Sequence, residues 1–143
     1  FIKLQKKIIK NCKFEIINPT KSKINEKNNS IDWIICNAVL HCLPNKNYTK
    51  KLILEMIRVA KKGIFISDIF NFKFKKKFTY AQMKRQNLNL SEYKKKYKKT
   101  PHLYFKKKDF DYLKKFGFKI KFLNMPKTFY DSQFGRFSLK ILK

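Results

Sequence analysis

The sequence predicts one compact α/β domain built on a parallel β-sheet. Residues 31–37 form a nearly continuous apolar run, as is typical of a strand buried on both faces, and residues 64–70 repeat the pattern. Between them, residues 45–62 carry apolar side chains at helical spacing. Strand, helix and strand joined by short connections predict a right-handed βαβ crossover and a doubly wound sheet. The length of 143 residues suits a single domain.

The first elements along the chain are a predicted helix and a short strand. Residues 1–11 have apolar side chains at helical spacing with no capping residue ahead of them, and residues 12–18 form an extended stretch that Pro19 ends. Since the chain starts at Phe1, inside the helical pattern, we expect a truncated coding sequence. A processed terminus or a trimmed chain would give the same pattern.

The helix at 45–62 has the ends expected of an amphipathic helix. Asn47 or Thr49 is a suitable cap at its start. Lys61 and Lys62 suit its C-terminal end, where Gly63 is expected to adopt the left-handed conformation that stops a helix.

Residues 71–100 differ from the rest, because Lys runs alternate there with Phe and Tyr and Glu92 is the one acidic residue. They predict a basic, partly helical insertion in a domain that spans residues 1–143. One interpretation is a solvated helical excursion. The other is a functional surface.

The C-terminal part predicts a short helix and two half-exposed antiparallel strands. Residues 107–117 form the helix, with Phe110 and Leu113 inward and Gly117 as its stop. Strict alternation of apolar and polar residues then follows from Phe118 and again from Phe137.

The net charge of +27 is the most pronounced feature of the composition. A basic surface is typical of proteins that bind nucleic acid, anionic membranes or acidic substrates. However, the positive residues are almost all Lys, and Arg occurs only at 58, 85 and 136, whereas base and phosphate recognition relies on guanidinium groups. The charge is therefore either functional or the result of compositional drift.

Cysteine usage and hydropathy exclude several classes of protein. Cys12, Cys36 and Cys42 form an odd set without a C-x-x-C pair, so we expect buried, reduced thiols, no disulfide framework and no metal site. No run of about 18 apolar residues and no signal peptide is present, which favours a cytoplasmic location.

Candidate site residues follow the predicted strands, because ligands bind beyond the carboxyl ends of the strands in an open α/β sheet. Three positions qualify: residues 18–20, residues 37–41 and residues 68–71.

Residues 31–68 resemble the fourth strand, the following helix and the fifth strand of class I S-adenosylmethionine-dependent methyltransferases. The phrase VLH at 39–41, followed by RVAKKG at 58–63, carries the resemblance. The tail from His102 to Ile120, with the final RFSLKILK, is similar to the last helix and antiparallel strand pair of that fold. Within the family, the tail is most similar to small-molecule methyltransferases encoded with sugar and surface-polysaccharide pathways.

The resemblance implies an incomplete Rossmann-like methyltransferase sheet, S-adenosylmethionine as cofactor and a small-molecule acceptor, such as a sugar or a nucleotide-linked sugar. It implies that Asn18 faces the adenine and that Asn37 and Ala38 lie beside the methionine part of the cofactor. His41 is the candidate catalytic residue, as a group that orients acceptor or cofactor or as a base for an acceptor hydroxyl, and structural packing is the remaining alternative. Further candidates for the acceptor pocket are Asp68, His102, Tyr104, Tyr130 and Arg136. Lys94, Lys95 and Lys96 are expected to hold an acceptor phosphate.

The family's cofactor loop, an acidic residue followed by G-x-G-x-G, has no counterpart, because Gly63, Gly117 and Gly135 are isolated. We therefore expect the C-terminal two-thirds of a methyltransferase domain, and catalysis by a longer parent protein rather than by these 143 residues alone. Two other interpretations stay open. One is an RNA-directed methyltransferase or a basic nucleic-acid-binding module, and the other is an inactive fragment.

Overall fold

The structure is a computed structural model that describes residues 22–98, 102–124 and 135–143. The predicted opening helix, the predicted strand at 12–18 and the candidate residues Asn18 and Tyr130 lie outside the described residues.

The described chain forms a mixed α/β structure. Its strands are β1 (Ile31–Asn37), β2 (Ala60–Ile69), β3 (Lys119–Asn124) and β4 (Phe137–Leu142). Its helices are α1 (Lys46–Val59), α2 (Lys75–Arg85), α3 (Leu90–Lys96) and α4 (Tyr112–Lys115), with 3-10 turns at Leu40–Cys42, Phe72–Phe74 and Lys107–Phe110.

The four described strands form one sheet in the order β1-β2-β4-β3. β1 and β2 are parallel, as the predicted crossover requires, and α1 connects them. β4 lies antiparallel between β2 and β3, with Ile64 opposite Ile141 and Phe122 opposite Leu139. The predicted α/β class and the C-terminal antiparallel pair are confirmed.

One face of the sheet carries the hydrophobic core. Ile64 and Ile66 of β2 are at most 1% exposed, and they belong to the same cluster as Ile53, Met56 and Ile57 of α1. Phe110 and Leu113, which were predicted to point inward, are also buried in this cluster. Burial of a large aliphatic side chain contributes roughly 1.5–3 kcal/mol, so this layer holds the helices to the sheet.

The opposite face of β1 is open. Trp33 is 43% exposed and Ile35 is 75% exposed, whereas Cys36, on the core side, is 7% exposed. The prediction that this strand is buried on both faces is therefore wrong. Successive side chains of a strand point to opposite faces; those facing α1 are covered, and on the other side the Lys140 ammonium lies 5.4 Å from the Trp33 ring.

The ends of α1 differ from the predicted ones. Asn45 is the N-cap, since its Oδ1 accepts a hydrogen bond from the Tyr48 amide at 2.8 Å, and neither Asn47 nor Thr49 has that role. The Thr49 hydroxyl instead donates to the Asn45 carbonyl at 3.0 Å.

Gly63 is not a helix stop but a residue of β2. A Cβ atom there would lie 2.5 Å from the Ile141 carbonyl oxygen and 2.8 Å from Cζ3 of Trp33. The glycine is needed because the neighbouring strand and the indole ring approach closely, not because of a left-handed backbone. Gly117, by contrast, has a φ of 82° directly after α4, as predicted for a helix stop.

The basic segment 71–100 is largely helical, as predicted, because it contains α2 and α3. α3 starts with a capping box in which the Asn89 side chain accepts from the Glu92 amide and the Glu92 carboxylate accepts from the Asn89 amide. The Gln86 side chain hydrogen-bonds the Tyr97 hydroxyl at 2.9 Å, which joins the two helices. That the segment is an insertion stays a prediction.

Two further sequence features can be located. Cys36 is buried and burial raises the pKa of its thiol to about 11, but Cys42 is exposed, so the expectation of buried thiols is wrong for Cys42. Among the described helices, none is long and apolar enough to cross a membrane.

Candidate active site

The carboxyl ends of β1 and β2 lie side by side and are joined by hydrogen bonds. The Ser67 hydroxyl donates to Oδ1 of Asn37 at 2.6 Å. The Ala38 amide donates to the Ser67 carbonyl at 3.2 Å. The parallel register, in which Asn37 pairs with Ser67, thus brings the two predicted loop positions together.

Both strand ends contain a residue in the left-handed backbone region. Ala38 has a φ of 56° and Asp68 has a φ of 61°. Residues other than glycine in this region cost on the order of 1–3 kcal/mol, and such strain concentrates at functional sites. Asn29 and Asn87 also have a positive φ elsewhere, but Asn and Asp adopt it readily, so Ala38 is the strained residue at this edge of the sheet.

Asp68 and Arg136 form an ion pair beside β2. Their side chains are 14% and 15% exposed, so the pair is largely removed from solvent. The Arg136 guanidinium also lies 4.4 Å from the centroid of the Phe70 ring, in cation–π contact. The pair fixes a positive charge and a carboxylate at the carboxyl end of β2.

His41 contacts the same phenylalanine. Its imidazole stacks on Phe70 with the ring centroids 4.0 Å apart and the planes inclined by 7°. Its carbonyl accepts a hydrogen bond from the Leu103 amide at 2.9 Å. Within the part of the chain that the structure describes, its buried Nδ1 atom has no hydrogen-bond partner.

Burial lowers the pKa of His41 from its ordinary value to about 4. Asp68 raises this pKa, while His102 and Arg136 lower it further. Burial, and then Arg136, also lower the pKa of His102. Both imidazoles are therefore neutral at pH 7, the form in which a histidine can accept a proton.

A short extended segment places His102 and Tyr104 next to this group. The Phe105 amide donates to the Phe70 carbonyl at 2.8 Å, and the Phe72 amide donates to the Phe105 carbonyl at 2.9 Å. The His102 ring centroid consequently lies 5.6 Å from that of Phe70, and the Tyr104 centroid lies 5.8 Å from it. Burial raises the pKa of Tyr104 to about 12, so its hydroxyl stays protonated.

The structure thus brings together most of the residues that the sequence singled out. His41, Asp68, His102, Tyr104 and Arg136 surround Phe70. Asn37 and Ala38 lie at the neighbouring strand end. The chemical role of each stays a prediction, and Asn18 and Tyr130 lie outside the described residues.

Phe70 lies within the predicted stretch 68–71, but it was not singled out as a site residue. It contacts His41, Phe78, His102, Tyr104 and Arg136. The signal was present, since Phe70 is the last residue of the predicted strand and stands two positions after Asp68. An aromatic residue there is equally typical of a strand that continues into the core.

His41, Cys42 and His102 are the group of described residues with donor atoms suited to a metal ion, and these atoms lie within 4.8 Å of one another. Their nitrogen and sulfur donors suit zinc. The Arg136 guanidinium, which already lowers the pKa of both histidines, opposes a second positive charge at this place. The absence of a metal ligand set stays a prediction.

The fit of the implied cofactor can be tested on the same residues. Asn37, at the end of β1, offers a polar side chain to a cofactor. The chain changes direction directly after it, at Ala38, whose φ is in the left-handed region. None of the three glycines belongs to a loop like the family's G-x-G-x-G cofactor loop. Gly63 lies within β2, Gly117 follows α4 and Gly135 precedes β4. The described residues therefore fit the side of S-adenosylmethionine that faces the end of β1, and they do not include the glycine-rich loop for its other side.

The strand order and a family match both relate this chain to known methyltransferases. The parallel pair β1-β2 with β4 antiparallel between β2 and β3 is the strand pattern of the class I methyltransferase fold that the resemblance implied. Residues 2–120 match the family described as "Methyltransferase domain". The chain therefore belongs to this methyltransferase family.

The chain is similar to solved structures at low sequence identity, and the first of them supports the fold. One is magnesium protoporphyrin IX methyltransferase from Synechocystis PCC 6803 with bound SAH, with a TM-score of 0.61, 15% identity and coverage of 99% of this chain and 57% of that chain. Another is a SAM-dependent methyltransferase from Methanosarcina mazei, with a TM-score of 0.47, 16% identity and coverage of 90% and 65%. The chain thus spans less than two-thirds of the length of either protein. No curated protein matches the sequence.

Proposed function

We propose that this chain supplies the acceptor side of a methyltransferase that moves a methyl group from S-adenosylmethionine to a small molecule. The observation that carries the proposal is the cluster of His41, Asp68 and Arg136 around Phe70, at the carboxyl ends of two parallel strands. Membership of the methyltransferase family supports the reaction type. A structural neighbour with bound SAH supports the cofactor.

When bound, the cofactor provides a methyl group on a positively charged sulfur. Methyl transfer is an in-line displacement, so the protein's work is to align the nucleophile and exclude water. The ring of Phe70 and the buried rings around it exclude water at this site.

His41 is the candidate for proton removal. Its neutral imidazole has the unpaired Nδ1 atom that can accept a hydrogen bond from an acceptor hydroxyl. Its low pKa makes it a weak base, which suits a group that orients the hydroxyl and takes the proton as the new bond forms. Asp68 and Arg136 are candidates to bind polar groups of the acceptor, because one provides a carboxylate and the other a guanidinium.

The chemical class of the methyl acceptor is a second, more specific part of the proposal. A sugar or nucleotide-linked sugar follows from the resemblance of the tail alone. The porphyrin in the name of one structural neighbour is that protein's substrate, and at 15% identity it assigns no acceptor to this chain.

The cofactor proposal is tested by calorimetric titration with S-adenosylmethionine, using the 143-residue chain and the protein expressed from the complete gene. We expect binding by the gene product, and binding at least about ten-fold weaker, corresponding to 1.4 kcal/mol, when Asn37→Asp places a negative charge beside Ala38. Asn29→Asp, at an exposed position ahead of β1 and so at the opposite edge of the sheet, is the matched control and should bind as the unchanged protein does. Absence of binding by the complete gene product would refute the proposal.

The role of His41 is tested in the gene product by comparing His41→Gln with His41→Ala. Both remove the base, but glutamine retains a hydrogen-bond acceptor. If His41 removes the proton, both variants should lose activity by a factor of 10²–10⁴. If it only orients the acceptor, glutamine should restore most of the activity that alanine loses.

A further inference from the structure

A large open cavity adjoins the candidate active site on the basic segment. Its volume is about 720 Å³, and it lies between the turn Phe72–Phe74, α2 and the start of α3. Cavities of roughly 300–1,000 Å³ are typical of small-molecule sites. The cavity is therefore large enough for a ligand and not only for water.

The apolar lining of this cavity is unusual for a surface so rich in Lys. Phe72, Tyr80 and Leu90 line it, and they are 43%, 69% and 51% exposed. Met83 adds a flexible apolar side chain between them. Three of the large apolar side chains that the described residues expose thus share one cavity, which indicates a surface that binds an apolar body.

Lys73, Lys75 and Lys76 supply the polar part of the lining. Every ion pair found among residues 22–98, 102–124 and 135–143 involves a different cation, so these three ammonium groups have no carboxylate partner there. Lys75 instead lies over two aromatic rings, 6.0 Å from the centroid of Phe72 and 5.8 Å from that of Tyr104. Among the described residues, no carboxylate therefore compensates the charge at this cavity.

The position of these lysines on α2 adds to the positive potential. Lys75 and Lys76 are the first residues of the helix, and its first turn contains no acidic side chain. The N-terminus of a helix already carries partial positive charge, so a cation there is unfavourable. An anion bound in the cavity would relieve this repulsion.

Tyr104 connects the cavity to the candidate active site. The centroid of its ring lies 5.8 Å from the Lys75 ammonium and 5.8 Å from the centroid of the Phe70 ring. Phe70 in turn stacks on His41. Two packed rings, those of Tyr104 and Phe70, thus separate the Lys75 side of the cavity from His41.

We propose that this cavity binds the methyl acceptor, and that the acceptor is an amphipathic acid with an apolar body and a carboxylate or phosphate group. This inference rests on the proposed function. An unmodified sugar is the wrong chemistry for the cavity, because Thr79 and Tyr80 are the neutral hydrogen-bonding side chains among its lining residues. The lysines of the turn and α2 bind the acid, rather than Lys94, Lys95 and Lys96, which lie on α3 outside the lining.

The test is calorimetric titration of the 143-residue chain with decyl phosphate, decanoate and the neutral decyl maltoside, each below its micelle-forming concentration. We expect both acids to bind and decyl maltoside to bind at least ten-fold more weakly. The double variant Lys75→Gln/Lys76→Gln should weaken binding of decyl phosphate at least ten-fold. Preference for the phosphate or the carboxylate identifies the acidic group.

Two control variants separate the cavity from the general charge and hydrophobicity of the surface. Lys94→Gln/Lys95→Gln removes the same charge from α3 and should change binding less than two-fold. Leu90→Ser should weaken binding of decyl phosphate, while Phe116→Ser, at another exposed apolar residue, should not. Equal effects of the cavity variants and their controls would overturn the inference, as would equal binding of decyl maltoside.

The inference can fail separately from the proposed function. Cofactor binding by the complete gene product without binding of decyl phosphate or decanoate overturns the inference alone. Binding of these acids without cofactor binding supports the ligand class and refutes the methyltransferase role. Lys75-dependent binding of uridine diphosphate glucose in place of the acids would also overturn the inference and restore the nucleotide-sugar prediction.

Discussion

Asp68 and Arg136, which are 68 positions apart in the sequence, form an ion pair at the point where β2 ends and β4 begins. The ring of Phe70 covers the guanidinium from one side. The pair thus links the parallel half of the sheet to its antiparallel half directly at the candidate active site.

Replacing Asp68 by Asn should reduce both stability and activity. Asn keeps the size of the side chain and tolerates the left-handed backbone of this position, but it removes the carboxylate that pairs with the mostly buried guanidinium. We expect a loss of about 1–3 kcal/mol in the free energy of unfolding, measured by urea denaturation. Asp111→Asn, in the exposed pair with Lys114, should cost less than about 1 kcal/mol. Equal losses in the two variants would show that the Asp68–Arg136 pair contributes no more to the free energy of unfolding than the exposed Asp111–Lys114 pair does.

The buried imidazole of His41 should make the protein sensitive to acid. Its pKa is about 4 in the folded chain, against about 6.5 when unfolded, so the unfolded chain takes up the proton first. The contribution of His41 to stability is therefore complete above pH 6.5 and is lost as the pH falls towards 4. His102, whose pKa is also lowered, acts in the same direction.

The measurement is the urea midpoint at pH 7 and at pH 5, for the unchanged chain and for His41→Gln. The midpoint of the unchanged chain should fall more between these pH values than that of the variant. An identical fall in both would mean that His41 does not titrate as its burial requires.

The close approach at Gly63 should make this residue intolerant of any side chain. Gly63→Ala would place a methyl group against the Ile141 carbonyl, which belongs to the backbone and cannot rotate away. We expect a loss of about 1–3 kcal/mol from overpacking, measured by thermal unfolding. Removing the indole as well, in Gly63→Ala/Trp33→Ala, should not restore stability, because the contact with the carbonyl remains. Full recovery would identify Trp33 as the sole obstacle.

The N-cap of α1 offers a direct comparison of two neighbouring asparagines. Asn45→Ala removes the hydrogen bond to the Tyr48 amide and should cost about 1 kcal/mol. Asn47→Ala, at the exposed position that the sequence favoured as a cap, should change stability by less than about 0.5 kcal/mol. The reverse order of effects would place the start of the helix two residues later.

The sequence predicted the positions of the helix α1 and its flanking strands better than the tertiary contacts of individual residues in them. Apolar spacing is local information, so it locates α1 and the strands on either side of it. The cap and Gly63 were misassigned because several nearby residues satisfy the same local rule, and only tertiary contacts decide among them. The exposure of Ile35 was missed because an apolar strand does not indicate which of its faces is covered.

The sequence predicted which residues form the candidate site, but it did not predict which of them are in contact. The rule that polar residues at carboxyl strand ends form the site selected Asn37, Ala38 and Asp68. The central position of Phe70 depends on the segment 102–105 pairing with residues 70–72, and no periodicity indicates such a pairing. The pairing of Asp68 with Arg136 likewise requires that β4 lies beside β2.

The strand order has a consequence for how the protein is made. β2 pairs with β4 through contacts such as Ile64 with Ile141, so the sheet stays open along one edge of β2 until β4 has been synthesised. During translation, β1, α1 and β2 are already outside the ribosome while this edge and the apolar surface beside it lack their cover. The nascent chain should therefore need protection by a chaperone until residues 137–142 emerge, and its folding should be a late event of synthesis.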